Sequence, residues 1–263
     1  MKDLTKSVAI VTGSSSGVGA ATARLLASQG CNVVVNYNSN AEGGNKVADQ
    51  CRALGVECLV VGGSIADDSV CQSMVASAIE KWGRVDILVN NAGTTKFMDH
   101  ADLDGLDSDD FQRIYAVNVI GCYQMIRAVS KHMQVQDDGG AVVNIASTAA
   151  ITGIGSSVAY AASKGAMVTM TLSLARSLAP KMRINAVCPG FIEGDWLRKG
   201  LGDEKYEELM DFHRRNSPLG VTATAETVAD AILHFIIGSQ IVTGETLIVD
   251  GGRHLTQTPL TRR

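Results

Sequence analysis

The sequence predicts an α/β fold, with one domain over residues 1–263 in which helices cover both faces of a doubly wound parallel sheet. Three observations predict it. Short apolar runs such as "VAIVT" and "DILVN" alternate along the chain with longer segments of helical period. The runs are apolar almost without interruption, as parallel strands buried on both faces require. No linker rich in proline, glycine or serine divides the chain.

The predicted elements follow one another as a β-α repeat. Strands are expected at residues 8–12, 32–36, 57–61, 87–90, 140–145, 184–187 and 246–249, and helices at 20–29, 41–54, 68–82, 109–133, 160–178 and 225–235. Ser108 is the expected N-cap of the fourth helix. Residues 191–221 break the repeat and carry an amphipathic set of side chains. We expect either a flap over a site or a plain helical excursion at the surface.

Composition limits the classes of partner. The chain has 23 Lys plus Arg and 27 Asp plus Glu, a formal charge of −4, and its basic residues are scattered. A nucleic-acid surface needs a clustered excess of basic residues, so no nucleic-acid partner is expected. Hydrophobic residues make up 46% of the chain, which excludes a disordered protein.

Neither a membrane span nor a metal site is expected. No segment approaches the ~18 consecutive apolar residues of a spanning helix, and the first residues lack the pattern of a signal peptide. The six cysteines show no CxxC pair and no histidine-rich neighbourhood, and small buried hydrophobes are their simplest interpretation. The expected location is the cytoplasm.

A glycine-rich turn lies between the first predicted strand and the first helix. Glycines let such a turn bring its backbone close to a pyrophosphate, which the free N–H groups and the helix dipole then bind. A purely steric role in a tight turn is the alternative. The position favours a dinucleotide site formed by Gly13, Ser15, Ser16, Gly17, Val18 and Gly19.

The end of the second strand bears on the choice of cofactor. A carboxylate there would bind both ribose hydroxyls and repel a 2′-phosphate, but no acidic residue occurs before Glu42. Neutral donors could hold a phosphate, although the nearest downstream cation is Lys46. The sequence favours NADP(H) and leaves NAD(H) possible, with candidate contacts at Asn36, Tyr37, Asn38 and Ser39.

Tyr160 and Lys164 are four residues apart, so they share one face of a helix. An ammonium beside a phenol stabilises the phenolate, and we therefore expect a lowered pKa that makes Tyr160 a usable acid or base. Ser147 closes a strand, from which its hydroxyl could reach the same crevice. On spacing alone, an exposed helical pair is the alternative.

In combination and order, these features resemble the classical short-chain dehydrogenase/reductase family, and within it 3-oxoacyl-(acyl carrier protein) reductases. The shared motifs span residues 8–252: Thr12-Gly13-x-x-x-Gly17-x-Gly19, Asn90-Asn91-Ala92-Gly93, Asn118, Ser147, Tyr160-x-x-x-Lys164 and Pro189-Gly190. The resemblance implies a Rossmann-type sheet. Members of this family commonly form tetramers, so the resemblance also implies a homotetramer of this chain. Its subunit contacts would be formed by the two helices after Asn118 and Tyr160 and by the last strand.

The resemblance implies a role for each matching residue. Tyr160 would exchange a proton with the substrate oxygen, Ser147 would orient that oxygen, and Lys164 would lower the phenol pKa and bind the nicotinamide ribose. Asn118 would hold a water that links Lys164 to solvent. Further cofactor contacts would come from Ser64, Ile65, Asn91, Ala92, Gly93, Pro189, Gly190 and the backbone of Ile192.

Three positions depart from the family pattern. Gly194 stands where a threonine usually follows Pro-Gly, and Ser64 stands where an aspartate usually meets the adenine, with Asp67 one helical turn further on. Ser16 replaces an arginine that is frequent in NADPH-dependent members. Each departure concerns the cofactor rather than proton transfer.

The expected function is hydride transfer between NADP(H) and a small-molecule ketone or secondary alcohol, with a 3-oxoacyl thioester among the possible substrates. An NAD-dependent sugar, polyol or steroid-type alcohol dehydrogenase and a catalytically silent dinucleotide-sensing protein are the alternatives. Lys131 and Arg176 could bind an acidic carrier protein, or be ordinary surface or interface charges. Substrate contacts are expected from residues 94–100 and 148–158 and from the flap. His100 and His213 are expected at the surface.

Overall fold

One parallel sheet runs through the computed structural model, which describes residues 3–256. Its strand order is β3-β2-β1-β4-β5-β6-β7, and every neighbouring pair is parallel. The predicted doubly wound sheet is confirmed. The strands are β1 (Val8–Val11), β2 (Asn32–Tyr37), β3 (Cys58–Gly62), β4 (Ile87–Asn90), β5 (Gly140–Ile145), β6 (Met182–Pro189) and β7 (Thr246–Val249).

Helices connect the strands and cover both faces of the sheet. They are α1 (Gly17–Ser28), α2 (Ala41–Ala53), α3 (Asp68–Trp82), α4 (Ser108–Tyr115), α5 (Cys122–Met133), α6 (Ala149–Thr152), α7 (Val158–Ser177), α8 (Asp195–Leu201), α9 (Asp203–Asn216) and α10 (Ala225–Ile237). A π-helical segment, Ala116–Gly121, joins α4 to α5. The helix predicted at 109–133 therefore exists but is widened in its middle.

The predicted N-cap of α4 is wrong by one residue. Asp107, not Ser108, is the N-cap: its carboxylate accepts from the Asp110 N–H at 2.8 Å, and the Asp110 carboxylate accepts from the Asp107 N–H. A carboxylate is favoured at this place because it also meets the positive end of the helix dipole.

The core consists of two main apolar clusters, one on each face of the sheet. On β1, Ala9 packs into the cluster that contains Leu26 of α1, while the next residue, Ile10, packs into the cluster that contains Met74 of α3. Successive side chains of a strand point to opposite faces. Because both faces are buried, the strands read as unbroken apolar runs.

The strand order reverses beside β1, whose neighbours are β2 and β4. In such sheets a crevice opens outside the carboxyl ends of the strands at the reversal point. The glycine-rich turn follows β1 and residues 91–93 follow β4, so both lie at this crevice. Residues 191–221 leave the carboxyl end of β6 at the same edge and contain α8 and α9.

Among residues 3–256, no helix has both the length and the apolar character that crossing a membrane would require.

Candidate active site

The glycine-rich turn is shaped by positive φ angles and close contacts. Gly13 has φ +61° and Gly17 has φ +53°, which glycine adopts without steric cost. A Cβ on Gly13 would lie 2.8 Å from the Cα of Ala92, and one on Gly19 would lie 2.5 Å from Asn91 Nδ2. The turn therefore packs directly on the segment after β4.

Open space lies in front of the N-terminus of α1. Among the described residues, nothing apart from the neighbouring backbone of Gly17 itself lies within 4 Å of the place where a Cβ on Gly17 would stand. Ser16 is the N-cap, but its side chain makes no capping hydrogen bond, and the first turn carries no acidic residue. The N–H groups of residues 17–19 have no acceptor within the helix, and the helix dipole favours an anion there. This cradle, flanked by Ser15 and Val18, fits the pyrophosphate of a dinucleotide.

Thr12 and Asn91 tie the turn to the end of β4. The Thr12 hydroxyl accepts the N–H groups of Asn91 and Ala92, both at 3.0 Å. The Asn91 side chain donates to the carbonyls of Thr12 and Gly13 at 2.9 and 3.0 Å. Two predicted cofactor segments are thus held together by hydrogen bonds of their own residues.

Asn36 does not have the role that the sequence suggests. Its side chain is buried, and Oδ1 accepts the Gly13 N–H at 3.0 Å while Nδ2 donates to the carbonyls of Val61 and Gly63, both at 3.1 Å. Both amide protons are therefore used inside the protein. The predicted donation from Asn36 to a phosphate is wrong, because the side chain fixes the glycine-rich turn to the end of β3.

The three residues after Asn36 are in different environments. The Tyr37 ring lies between two glycines: a Cβ on Gly44 would lie 2.8 Å from Cδ1, and one on Gly62 would lie 2.8 Å from the phenol oxygen. Asn38 and Ser39 are exposed where β2 leaves the sheet. The last two side chains remain free to meet a ligand at this edge.

The segment after β3 uses most of its polar groups locally. The Ser64 hydroxyl accepts the Ala66 N–H at 3.3 Å. The Ile65 side chain is buried in the core. Asp67 is the N-cap of α3, and its hydrogen bonds with Ser69 lower the pKa of its carboxyl. Asp67 therefore does not replace the aspartate that is missing at Ser64.

Ser147, Tyr160 and Lys164 meet at the carboxyl edge of β5. The N-cap Ser157 starts α7 by accepting the Tyr160 N–H at 3.3 Å. Lys164 Nζ lies 5.6 Å from the centroid of the Tyr160 ring and donates to the Ile145 carbonyl at 2.7 Å. The Ser147 side chain hydrogen-bonds the Tyr160 phenol. The sequence-predicted triad is brought together.

Burial controls the protonation of this triad. It raises the pKa of Tyr160 to about 12, against the opposing effect of the Ser147 hydrogen bond. It also lowers the pKa of Lys164, which is 3% exposed, to about 8. The expected lowering of the phenol pKa by the ammonium is therefore wrong here, because desolvation disfavours the charged form of both groups. At neutral pH the phenol is protonated and most of the amine is charged.

Asn118 lies in the π-helical segment and is fully buried. Its Nδ2 donates to the Thr94 carbonyl and the Ser163 hydroxyl, both at 3.0 Å, and its Oδ1 accepts the Thr94 N–H at 2.8 Å. A Cβ on Gly93 would lie 3.4 Å from Asn118 Oδ1 and 3.7 Å from Lys164 Nζ. The amide of Asn118 thus joins the substrate-side loop to α7 beside Lys164.

The backbone after β6 presents polar groups to the crevice. The Pro189 carbonyl accepts the Thr148 N–H at 2.9 Å, and a Cβ on Gly190 would lie 2.7 Å from the Asp250 Cβ. Ile192 pairs with Ala223 in a parallel bridge, whose hydrogen bonds use the carbonyl of residue 191 and the N–H of residue 193. The N–H and carbonyl of Ile192 itself therefore point away from the bridge.

Gly194 explains one departure from the family pattern. Its φ of +150° and ψ of 173° belong to a region that only glycine occupies readily. Its N–H donates to the Tyr206 hydroxyl at 3.0 Å. A threonine would be strained in this conformation.

The two histidines that were expected at the surface are both partly buried. His100 Nε2 lies 3.1 Å from the Gly155 carbonyl oxygen. His213 stacks on Phe191 with ring centroids 5.1 Å apart, and burial lowers its pKa. Both rings anchor loops around the crevice.

Lys131 and Arg176 lie at the other edge of the sheet. α5 and α7 start at the carboxyl edge and return the chain to the beginnings of β5 and β6. Both cations lie near the C-terminal ends of these helices, so within one subunit they are far from the crevice. Lys131 and Arg176 of one subunit therefore do not form a cationic patch beside the crevice, which leaves the alternative of ordinary surface or interface charges.

Buried asparagines of the central strands have hydrogen-bonding roles that were not predicted from the sequence. Asn90 donates to Asn144 and Asn144 to Thr171, both at 2.9 Å, so a buried polar chain crosses from β4 through β5 to α7. The asparagine inside the apolar run "AVVNIA" was a signal, since an unpaired buried amide is costly. Ser163, whose hydroxyl accepts from Asn118 Nδ2, gave no comparable signal, whereas Phe97 lies within residues 94–100, which were expected to contact the substrate.

Comparisons with known proteins agree with this geometry. A family model described as Enoyl-(Acyl carrier protein) reductase matches residues 13–254. The granaticin polyketide synthase putative ketoacyl reductase 2 of Streptomyces violaceoruber is 38% identical over 94% of this chain and 96% of its own. An L-rhamnose 1-dehydrogenase (NAD(P)(+)) of a Sphingomonas species is 33% identical over 97% of this chain and 99% of its own.

A solved structure extends the likeness to three dimensions. The crystal structure of a putative short-chain dehydrogenase/reductase from Burkholderia xenovorans has a TM-score of 0.87 and 33% identity, covering 95% of this chain and 99% of that one. Matches of this length and identity include the whole sheet and the crevice. The chain therefore belongs to the short-chain dehydrogenase/reductase family and is an NAD(P)-dependent oxidoreductase that transfers hydride between a nicotinamide cofactor and a ketone or alcohol.

Proposed function

We propose that Tyr160 is the proton donor of an NADP(H)-preferring ketone reductase, with Ser147 and Lys164 as its partners. The observation that carries the proposal is the meeting of the three side chains at the carboxyl edge of the sheet, with Lys164 Nζ 5.6 Å from the Tyr160 ring. Reduction would add a hydride to the carbonyl carbon and a proton to the oxygen, giving a secondary alcohol.

The protonation states favour the acid role of Tyr160. A phenol with a pKa of about 12 is protonated at pH 7 and has a proton to give. The charge on Lys164, whose pKa is about 8, would stabilise the phenolate that remains. The Ser147 hydroxyl, already a hydrogen-bond partner of the phenol, would align the substrate oxygen.

The residues at the crevice fit a nicotinamide dinucleotide. The N–H groups of residues 17–19 would bind the pyrophosphate, Lys164 the nicotinamide ribose, and the backbone of Ile192 the carboxamide. When bound, the nicotinamide supplies the hydride. The main-chain carbonyl of Asn118 would hold the water that connects Lys164 to solvent, since π-helical widening disturbs the regular carbonyl pairing of a helix.

Substitution of the phenol tests this proposal. Tyr160→Phe removes the proton donor while keeping the ring, so kcat for ketone reduction, followed at 340 nm, should fall by about 10²- to 10⁴-fold. The Kd for NADPH, from fluorescence titration, should change little. Tyr123→Phe, on the exposed side of α5, is the matched control and should keep the wild-type rate.

Wild-type rates in the Tyr160→Phe variant would contradict the mechanism. Tight NADPH binding by the wild-type chain without turnover of any ketone or alcohol would favour a dinucleotide-sensing protein. The buried charge of Lys164 argues against a sensor, because it costs folding free energy that simple binding does not need.

The preference for NADP(H) is supported by the neutral end of β2. No carboxylate occurs among residues 36–41, and exposed Asn38 and Ser39 can donate to a 2′-phosphate. Exposed Glu42 opposes it, so we expect kcat/KM for NADPH to exceed that for NADH by less than about tenfold, or 1.4 kcal/mol. Asn38→Asp should reverse the preference, and an unchanged ratio in this variant would remove residue 38 from the cofactor site.

We propose that residues 191–221 are a flap within one domain that holds both cofactor and substrate. Trp196, on the first turn of α8, lies 6.3 Å from the Tyr160 ring between centroids, which supports closure over the reacting atoms. A carrier-bound 3-oxoacyl thioester receives no support from Lys131 and Arg176 of the same subunit. A free ketone is therefore the simpler substrate.

A homotetramer is also proposed. Its support is the exposed apolar surface on the two helices and the edge strand that would be covered: Ile120, Tyr123, Leu172 and Leu247 are 51%, 46%, 51% and 37% exposed.

A further inference from the structure

Three aromatic rings line the entrance above the triad. The Trp196 ring lies between the other two, with its centroid 5.7 Å from that of Phe97 and 6.3 Å from that of Tyr160. The interplanar angles of 52° and 43° show that Trp196 is stacked flat on neither ring. Trp196 is 51% exposed, so much of its indole surface is left without a protein partner beside the proposed proton donor.

Phe97 lies on a segment that the protein fixes. The Thr95 and Ser156 hydroxyls are 2.7 Å apart and hydrogen-bonded, and the Met98 N–H donates to the Ser156 carbonyl at 2.9 Å. On the other side, a Cβ on Gly200 of α8 would collide with the Phe97 ring. Gly200 therefore lets α8 rest on Phe97, and this contact sets the height of Trp196 above the crevice.

The polar side chains of the substrate-side loop are engaged by the protein. Lys96 Nζ lies 2.5 Å from a carboxylate oxygen of Asp110, and His100 is bonded to the Gly155 carbonyl. A Cβ on Gly155 would lie 3.3 Å from Tyr160 Cδ1, so this part of the loop lies against the phenol ring.

The charged side chains of the flap are likewise paired within the protein. Arg198 makes ion pairs with Asp203 and Glu207 at 2.9 and 2.6 Å, and Glu193 makes one with Arg214 at 2.7 Å. A polyhydroxylated substrate needs several uncommitted hydrogen-bonding groups, since its hydroxyls lose their water on binding. The charged and polar groups named here already have partners within the protein, whereas Trp196 is 51% exposed.

We propose that Trp196 and Phe97 form an aromatic subsite that selects a ketone carrying an aromatic ring over a sugar, a polyol or a saturated ketone of similar shape. This inference rests on the proposed ketone reductase function and names the substrate class of that site. An aromatic ring of the substrate would pack in a tilted or offset arrangement against the indole. The carbonyl, a few bonds away, would then reach Ser147 and Tyr160.

The test compares 4-phenylbutan-2-one with 4-cyclohexylbutan-2-one, which share the carbon skeleton and the position of the carbonyl but carry a flat aromatic ring and a saturated ring, respectively. In the wild-type enzyme kcat/KM should be about two- to tenfold higher for the phenyl ketone. Trp196→Leu keeps an apolar side chain but removes the ring, so the ratio should fall to about one. Trp82→Leu makes the same change outside the crevice and should keep the wild-type ratio.

Three kinetic outcomes would overturn the subsite: a wild-type ratio of one or less, an unchanged ratio in Trp196→Leu, or oxidation of D-glucose as efficient as reduction of the phenyl ketone. Each leaves the proposed reductase standing. The proposed function itself fails by a different result, the absence of turnover with both ketones.

Fluorescence gives a readout that does not depend on turnover. The chain has two tryptophans, so in Trp82→Leu all tryptophan emission comes from Trp196. Titration of this variant with the phenyl ketone, with NADP⁺ present, should give a saturable blue shift. A non-saturable change like that of free N-acetyltryptophanamide would contradict contact with the indole.

Discussion

Different kinds of interaction stabilise the cofactor side and the substrate side of the crevice. On the cofactor side, Thr12, Asn36 and Asn91 are engaged with backbone groups, and two of the three are buried. On the substrate side, the proposed flap is held by ring contacts and by ion pairs of partly exposed residues such as Arg198. Buried polar groups are costly to disturb, whereas exposed ion pairs contribute little. From this comparison we expect the residues on the cofactor side to be fixed by the fold, while those on the substrate side can move or be replaced without unfolding the protein.

Breaking the cofactor side should have the largest effect. Asn36→Leu keeps the volume of the side chain but leaves the Gly13 N–H and the carbonyls of Val61 and Gly63 without partners. We expect the free energy of unfolding to fall by about 3 kcal/mol, measured by urea denaturation, with weaker NADPH binding. The exposed neighbour provides the control: Asn38→Leu should leave stability unchanged. Equal stability of the two variants would show that Asn36 does not lock the turn.

Lys164 lies where the two sides of the crevice meet, and its substitution should raise the free energy of unfolding rather than lower it. Lys164→Met removes a buried charge and should stabilise the fold at pH 7 by about 2 kcal/mol, after allowance for the Ile145 carbonyl that loses its donor. The folded pKa of about 8 is below the ordinary value of a lysine amine, 10.5. The penalty is therefore fully present below pH 8 and fades as the pH rises toward 10.5.

The pH dependence separates this effect from simple repacking. The gain in unfolding free energy from Lys164→Met should be smaller at pH 10 than at pH 7, while ketone reduction is lost at both. A gain that is the same at both values, or a loss of stability at pH 7, would mean that the charge of Lys164 is not the source.

The smallest effect is expected in the flap. Arg198→Ala removes the ion pairs with Asp203 and Glu207 and the contact with the Tyr206 ring. The urea midpoint should not change measurably, because the two ion pairs are well exposed to solvent and contribute little, but limited proteolysis within residues 195–216 should become faster. A large drop in the midpoint would erase the contrast between the two sides.

Much of the fold follows from the sequence because burial on both faces leaves an unmistakable pattern. The predicted strand at 140–145 has the observed bounds, and that at 57–61 is shifted by one residue. The π-helical widening around Asn118 has no such pattern, since it shifts backbone pairing without changing which residues are buried. It could not be predicted.

The site shows the same limit. Tyr160 and Lys164 were identified because their helical spacing occurs in order with the glycine-rich turn and Ser147 along one chain. Asn36 was misinterpreted, because an amide at a strand end looks the same whether it meets a ligand or the Gly13 backbone. The pKa of Tyr160 was mispredicted for a related reason: the sequence shows the neighbouring charge but not the depth of burial.

The parallel bridge between Ile192 and Ala223 brings the two ends of the flap side by side. A segment whose ends meet behaves as a closed loop, and the entropic cost of closing such a loop grows only slowly with its length. Residues 193–222 thus form a loop that the bridge between Ile192 and Ala223 closes at its base. Exchanging this loop between relatives is the natural route, in evolution or in the laboratory, to a changed substrate specificity, because the sheet stays the same.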